Sequence, residues 1–209
     1  MREQCLVLDL HGVITLVGDI VTHRLAPFIQ ARKPGVCVER VRELYLTASA
    51  GRMSARRFWA ATLLGTPYRE VQPEYLNTLP MDPEAPAVLE TLGRRYRLAL
   101  LTNDLTEWSQ FLRERFDLDR HFDPIVVSAE VCARKPEPKI YEFLLERVGL
   151  RASACAFVDD RRVNLRPAAE LGMKTIWFAR DPAGDAPFAA DAQVRTWGEL
   201  PAVTELFLR

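Results

Sequence analysis

Five short, almost wholly apolar runs punctuate this sequence and constrain its fold more than any other feature: residues 5–10, 98–101, 125–127, 155–158 and 175–178. Each is too short for a buried helix and lacks the alternation of a strand with one wet face. Each therefore reads as a strand covered on both sides. Stretches of helical length lead into the last four, at about 84–94, 107–116, 139–148 and 163–171. Strands and helices alternating in this way predict an α/β fold, a Rossmann-like parallel sheet flanked by helices.

Residues 19–79 break the alternation, with helical periodicity and few strand signals. Val38, Val41, Leu44 and Tyr45 fall on one helix face; Phe58, Ala61 and Thr62 fall on another, which Ser54 is placed to cap. Pro34-Gly35 and Gly65-Thr66-Pro67 mark the breaks. The expected organisation is a sheet domain of residues 1–15 and 82–209, interrupted by a helical insertion of residues 16–81. A chain of 209 residues is long enough for such a domain with an insertion. The tail reads as a loop at 181–191 and a surface helix at 197–208.

Charge narrows the partners. With 28 basic and 28 acidic residues, nothing in the balance draws the chain to nucleic acid or an anionic membrane. Cys5, Cys37, Cys132 and Cys155 stand singly, without zinc spacing, so the expected setting is reducing and cytoplasmic. The opening apolar run is too short for a secretory signal. The expected oligomeric state is a monomer or a homodimer.

Polar residues gather where the strands end: Asp9 after the first, Thr102-Asn103-Asp104 after the second, Asp159-Asp160 after the fourth. In open α/β sheets ligands bind at that edge. A carboxylate at Asp9 can attack phosphorus or carbon. Asp159-Asp160 facing Asp9 would form an oxygen-rich cavity suited to magnesium. Lys135, stiffened by Pro136 and Pro138, can neutralise a transferred anion, and the Thr102 hydroxyl can donate to one. Residue types alone leave other readings open. Asp9 also suits a helix cap, Asp159-Asp160 a solvated acidic turn, Lys135 a solvated lysine and Thr102 an ordinary N-cap region.

The order of these residues resembles the four motifs of the haloacid-dehalogenase superfamily. Val7-Leu8-Asp9-Leu10-His11-Gly12-Val13 resembles the first and Leu100-Leu101-Thr102-Asn103 the second. Lys135-Pro136-Glu137-Pro138-Lys139-Ile140-Tyr141 resembles the third. Phe157-Val158-Asp159-Asp160-Arg161-Arg162-Val163-Asn164, followed by Ala168-Ala169-Glu170-Leu171-Gly172-Met173, resembles the fourth. The 16–81 insertion then corresponds to that family's helical cap. Gly51-Arg52-Met53-Ser54 with Phe58-Trp59 is similar to cap segments in the branch containing the phosphatase domain of soluble epoxide hydrolase.

The resemblance implies a magnesium-dependent phosphatase acting on a small phosphorylated metabolite through an aspartyl-phosphate. Asp9 would be nucleophile and metal ligand; Asp160 and the His11 main-chain carbonyl would complete the protein ligands. Asp159 would join the metal site mainly from behind, orienting Lys135 or metal-bound water together with Asn164. Thr102 and Lys135, helped by Asn103, would hold the phosphoryl group. The sequence departs from the family at His11, where phosphatases carry an acid two residues after the nucleophile. An imidazole near neutral pH can exchange protons and suits the activation of water. Two other readings stay open: a carbon–halogen hydrolase, and a non-catalytic relative that binds a ligand or protein. His23, Arg24, Arg56 and Arg57 are candidates to reach an anionic substrate from the insertion.

Overall fold

The structure is a computed structural model in which residues 3–63, 67–180 and 188–208 are described. The first apolar run forms β1 (Cys5–Leu8), shorter at its end than the sequence pattern implies. The chain then enters helices: a π-turn at Val21–Leu25, α1 (Ala26–Gln30), α2 (Val38–Ser49), α3 (Ala55–Thr62) and α4 (Tyr68–Leu76). Ser54 caps α3, its Oγ accepting the Arg57 N–H at 3.4 Å. The expected break at Gly65-Thr66 lies outside the described residues.

Regular alternation follows: α5 (Ala85–Arg95), β2 (Arg97–Thr102), α6 (Thr106–Arg115), β3 (Ile125–Val127), short α7 (Ser128–Val131), α8 (Pro138–Val148), β4 (Cys155–Asp159), α9 (Arg162–Glu170) and β5 (Lys174–Phe178). A sixth strand, β6 (Ala192–Val194), escapes a hydrophobicity reading because it is three residues long and carries Gln193. Most of the expected 181–191 loop lies outside the described residues. The tail closes with a 3-10 turn at Trp197–Glu199 and α10 (Leu200–Phe207). No helix among the described residues is long and apolar enough to cross a membrane.

The six strands among the described residues are parallel, in the order β3-β2-β1-β4-β5-β6. The chain builds outward from β1 in one direction, then returns to build outward through β4 in the other. The crevice beyond the ends of β1 and β4 is thus the topological switch point, where such sheets bind ligands. Alternate side chains of the sheet serve two apolar clusters. Cys5, Val7, Ala99, Leu101 and Phe157 pack beneath α8 and α9. Leu6, Leu8, Leu100 and Val158 belong to the other cluster, which continues through α5 and α6 into the insertion.

Trp108 of α6 joins the insertion to the sheet's own helices. It is fully buried among Phe58, Trp59 and Tyr75, with ring centroids 5.1 to 5.5 Å away, and its Nε1 donates to Gln72 of α4 at 3.0 Å. The two chain crossings between sheet and insertion run side by side. Leu16 N–H donates to Pro80 O at 3.0 Å and Asp82 N–H to Ile14 O at 2.9 Å. Arg180 grips both crossings, donating to Asp82 Oδ2 at 2.6 Å and to Val13 O at 3.4 Å.

Candidate active site

Asp9 sits one residue past β1, and its N–H still bonds the sheet through Val158 O at 3.0 Å. That bond fixes the backbone while Gly12, at φ +82°, turns the chain away. Asp9 Oδ1 accepts the Leu10 N–H and the Lys135 ammonium, each at 2.7 Å. Oδ2 accepts no hydrogen bond among the described residues.

Lys135 is buried, and its Nζ is held by three oxygens: Asp9 Oδ1 at 2.7 Å, Asp159 Oδ2 at 2.8 Å and Leu101 O at 2.8 Å. An ammonium has three hydrogens, so its donors are all engaged. Burial alone would lower its pKa, but the carboxylates of Asp159 and Asp9 outweigh burial and hold it above lysine's usual value. Asn103 lies on the cavity wall and makes reciprocal bonds with the Lys135 backbone, donating to its carbonyl and accepting its N–H at 2.9 Å each. Both ends of its amide therefore position Lys135.

Asp159 is saturated. Besides Lys135, it accepts the Arg161 N–H at 2.8 Å and the Asn164 amide at 2.9 and 3.1 Å. Asp160 differs, having no cation within 4 Å among the described residues, and its carboxylate lies against Gly12 and Gly18. A Cβ at those glycines would fall 2.2 and 1.9 Å from its Oδ2, so the backbone's close approach requires glycine at both. Burial first, then Asp159 and Asp9, pushes the Asp160 carboxyl well above its usual range. Oxygens of Asp9, Asp159 and Asp160 lie within 4.8 Å of one another. Three carboxylates thus meet one ammonium, and the all-oxygen donor set suits a hard divalent cation such as magnesium. Thr102, at the end of β2, is fully buried, and its hydroxyl has no hydrogen-bond partner among the described residues.

His11 faces the cavity with both ring nitrogens engaged. Nε2 lies 3.3 Å from Asp104 Oδ2, and Nδ1 lies 3.3 Å from Thr15 Oγ1. A carboxylate only accepts, so the hydrogen in the first contact belongs to Nε2; in the uncharged tautomer with that arrangement Nδ1 carries the lone pair. Asp104 is itself held by its Oδ1 accepting the Leu105 N–H at 2.8 Å. In the sequence Asp104 is marked only by its place at a strand end, because its partner lies 93 residues away.

The basic residues expected to approach substrate are placed differently. His23, Arg24, Arg56 and Arg57 are exposed and do not line the cavity. Arg42, Arg134 and Arg161 do, beside Tyr45 and Leu46 of α2. Arg42 pairs with Asp19 at 3.0 Å. The others escaped notice because a basic residue next to a motif is ordinarily solvated.

Comparison with known proteins gives the constellation its family. The model for haloacid dehalogenase-like hydrolases matches residues 4–172. Bifunctional epoxide hydrolase 2 of Rattus norvegicus is 42% identical over 67 residues, which is 32% of this chain and 12% of that protein. Glyceraldehyde 3-phosphate phosphatase of Pyrococcus abyssi is 31% identical over 114 residues, covering 53% of this chain and 46% of that one. The chain thus matches less than half the length of each of these relatives. The 2-haloacid dehalogenase of Pseudomonas syringae shares the fold, with a TM-score of 0.72 over 97% of this chain and 98% of that chain at 24% identity. The chain belongs to the haloacid dehalogenase-like hydrolases.

Proposed function

We propose that this hydrolase is a magnesium-dependent phosphatase acting on a small phosphorylated metabolite, with Asp9 as nucleophile. One observation carries the reading: three converging carboxylates share a single ammonium, and Asp160 has no cation of its own. Asp9, Asp160 and the main-chain carbonyl of His11 would hold magnesium, which when bound neutralises charge and polarises the phosphoryl group. The unpartnered Thr102 hydroxyl would donate to a phosphoryl oxygen, and the Lys135 charge beside Asp9 would offset that of the phosphoryl group. Asp159, Asn164 and Asn103 would fix Lys135. The cap is residues 16–81, and the paired crossings at 14–16 and 80–82 would be its hinge to the core of residues 1–15 and 82–209.

In the first step Asp9 Oδ2 attacks phosphorus and the ester P–O bond breaks, the leaving oxygen taking a proton from solvent to depart as the alcohol. In the second, water attacks the same phosphorus, breaking the bond to Asp9 and releasing phosphate. Turnover of a phosphate-ester panel, with magnesium and with chelator, tests the reading. A single turnover in ¹⁸O-water adds the path: attack at phosphorus delivers the label to phosphate. A hydrolase forming a carbon ester on Asp9 would deliver label to the Asp9 carboxylate and keep its activity in chelator.

His11 takes the second step in this scheme. Asp104 keeps the proton on Nε2, so Nδ1 can exchange Thr15 for a water and accept its proton. General base catalysis contributes about a hundredfold to ten-thousandfold. His11→Ala should therefore lose roughly a hundredfold in steady-state turnover. It should still release a burst of nitrophenol from p-nitrophenyl phosphate, because the first step needs no base and that leaving group needs no proton. Steady-state turnover equal to the parent's would remove His11 from the chemistry.

A further inference from the structure

Lys135 and its neighbour Arg134 reach opposite sides of the cavity. The lysine contacts the sheet edge, at Asp9, Asp159 and Leu101. Arg134 contacts the insertion: its Nη1 donates to Ser49 Oγ, and its guanidinium lies over the Tyr45 ring, 5.7 Å from the centroid. Both partners belong to α2. Tyr45 is tied in turn to the site by donating to Asn103 O at 2.7 Å, and Ser49 O accepts the Ser128 hydroxyl at 2.6 Å. The arginine is therefore held in place by the insertion, whereas the lysine is held by the sheet edge. A phosphoryl group on Asp9 would occupy the sheet side, leaving Arg134 to face the leaving group.

Arg134 has no direct ion pair among the described residues, and Asp104 and Glu137 act on its charge only at longer range. No carboxylate lies within 4 Å of Arg134 or Arg161 among the described residues, and the Nε and Nη2 of Arg134 have no partner there. Burial lowers the Arg134 pKa and the Arg161 charge adds to it, with Tyr45, Asp104 and Glu137 offsetting them only in part, an arrangement that a bound anion would relieve. The free edge of a guanidinium presents two parallel N–H groups that match a planar carboxylate.

We propose that Arg134, with Arg161 beside it, recognises a carboxylate on the leaving group, so that the substrates are phosphomonoesters of small hydroxy acids. The proposal rests on the phosphatase reading for its substrate class, but its test does not require turnover. Isothermal titration with magnesium present would compare propylphosphonate with 3-phosphonopropionate, which replaces the terminal methyl by a carboxylate and cannot be hydrolysed. The parent should bind the carboxylate-bearing ligand at least roughly tenfold more tightly, as expected of a charge-assisted pair. Arg134→Met should abolish that preference while leaving the affinity for inorganic phosphate within about twofold, since phosphate would sit at the sheet edge. Arg134→Gln, which keeps a donor for Ser49, guards against a folding defect, and Arg161→Met should reduce the preference in part.

Equal affinities in the parent, or a preference that survives in both Arg134 variants, would overturn the proposal. So would an equal loss of phosphate affinity, which would make Arg134 a phosphoryl ligand, or failure of the parent to bind any of these anions. The carboxylate preference in a protein that hydrolyses no phosphate ester would sink the phosphatase reading, and the phosphomonoester class with it, and leave the carboxylate site on Arg134 standing. Phosphatase activity without the preference would do the reverse.

Discussion

Asp9→Asn should lose at least about ten-thousandfold in turnover while folding normally, because removing a catalytic nucleophile costs on the order of a millionfold where it has been measured elsewhere. The substitution is isosteric. The amide oxygen can still accept the Leu10 N–H, and Lys135 keeps Asp159 and Leu101 as partners. The change removes one of three crowded carboxylates, so the metal-free fold should not suffer. What is lost is the Oδ2 lone pair that would attack phosphorus, together with a metal ligand. Turnover on the best ester of the panel is the measurement, with circular dichroism as the folding control. Activity within tenfold of the parent would mean that water attacks directly or that another residue is the nucleophile.

Asp160→Asn should move activity and stability in opposite directions. Turnover should fall roughly a thousandfold, the equivalent of about 4 kcal/mol of transition-state charge stabilisation lost with the metal. The metal-free protein, by contrast, should be stabilised, because a half-buried carboxylate crowded by Asp159 and Asp9 and without a cation partner is replaced by a neutral amide of the same shape. The sign with pH follows. The Asp160 carboxyl is raised in the folded state, so the fold takes up its proton more readily than the unfolded chain does. Its cost is absent at low pH and grows as pH rises above about 4. The variant's advantage should therefore be largest near neutrality and fade toward pH 4.

Magnesium should reverse the ranking. At a hundredfold excess over its dissociation constant, a cation that binds only the folded state adds about 2.7 kcal/mol, which is a Tm rise of roughly 5–10 °C for a chain of this size. Asp160→Asn should show little of that rise. Thermal melts of both proteins, with magnesium and with chelator, read all of these signs. A magnesium-dependent rise equal in parent and variant would remove Asp160 from the metal site.

Much of this architecture is local and therefore legible in the sequence. Strands buried on both faces must be apolar throughout, so β1 to β5 announce themselves, and the polar residues that interrupt them mark the ligand-binding edge. The order Asp9, Thr102, Lys135, Asp159-Asp160 is legible for the same reason: each stands at or beyond the end of its own strand. β6 was not, because its three residues carry no periodic signal. It follows Asp191, whose carboxylate accepts the Thr175 N–H at 2.9 Å and hydroxyl at 2.8 Å, a contact between residues far apart in the chain.

Local pattern thus sets the sheet, the run of helices between β1 and β2 and which side chains stand at the ends of the strands. Tertiary structure alone decided how those side chains are partnered. Asn103 turns to the Lys135 backbone, Asp104 reaches His11, and Arg134 takes the place at the cavity that exposed Arg56 and Arg57 had been expected to fill. The physical reason is reach. Hydrophobic periodicity records which way a residue faces relative to its own element, whereas a hydrogen bond or ion pair depends on positions fixed to within about an ångström between elements that only the folded core brings together.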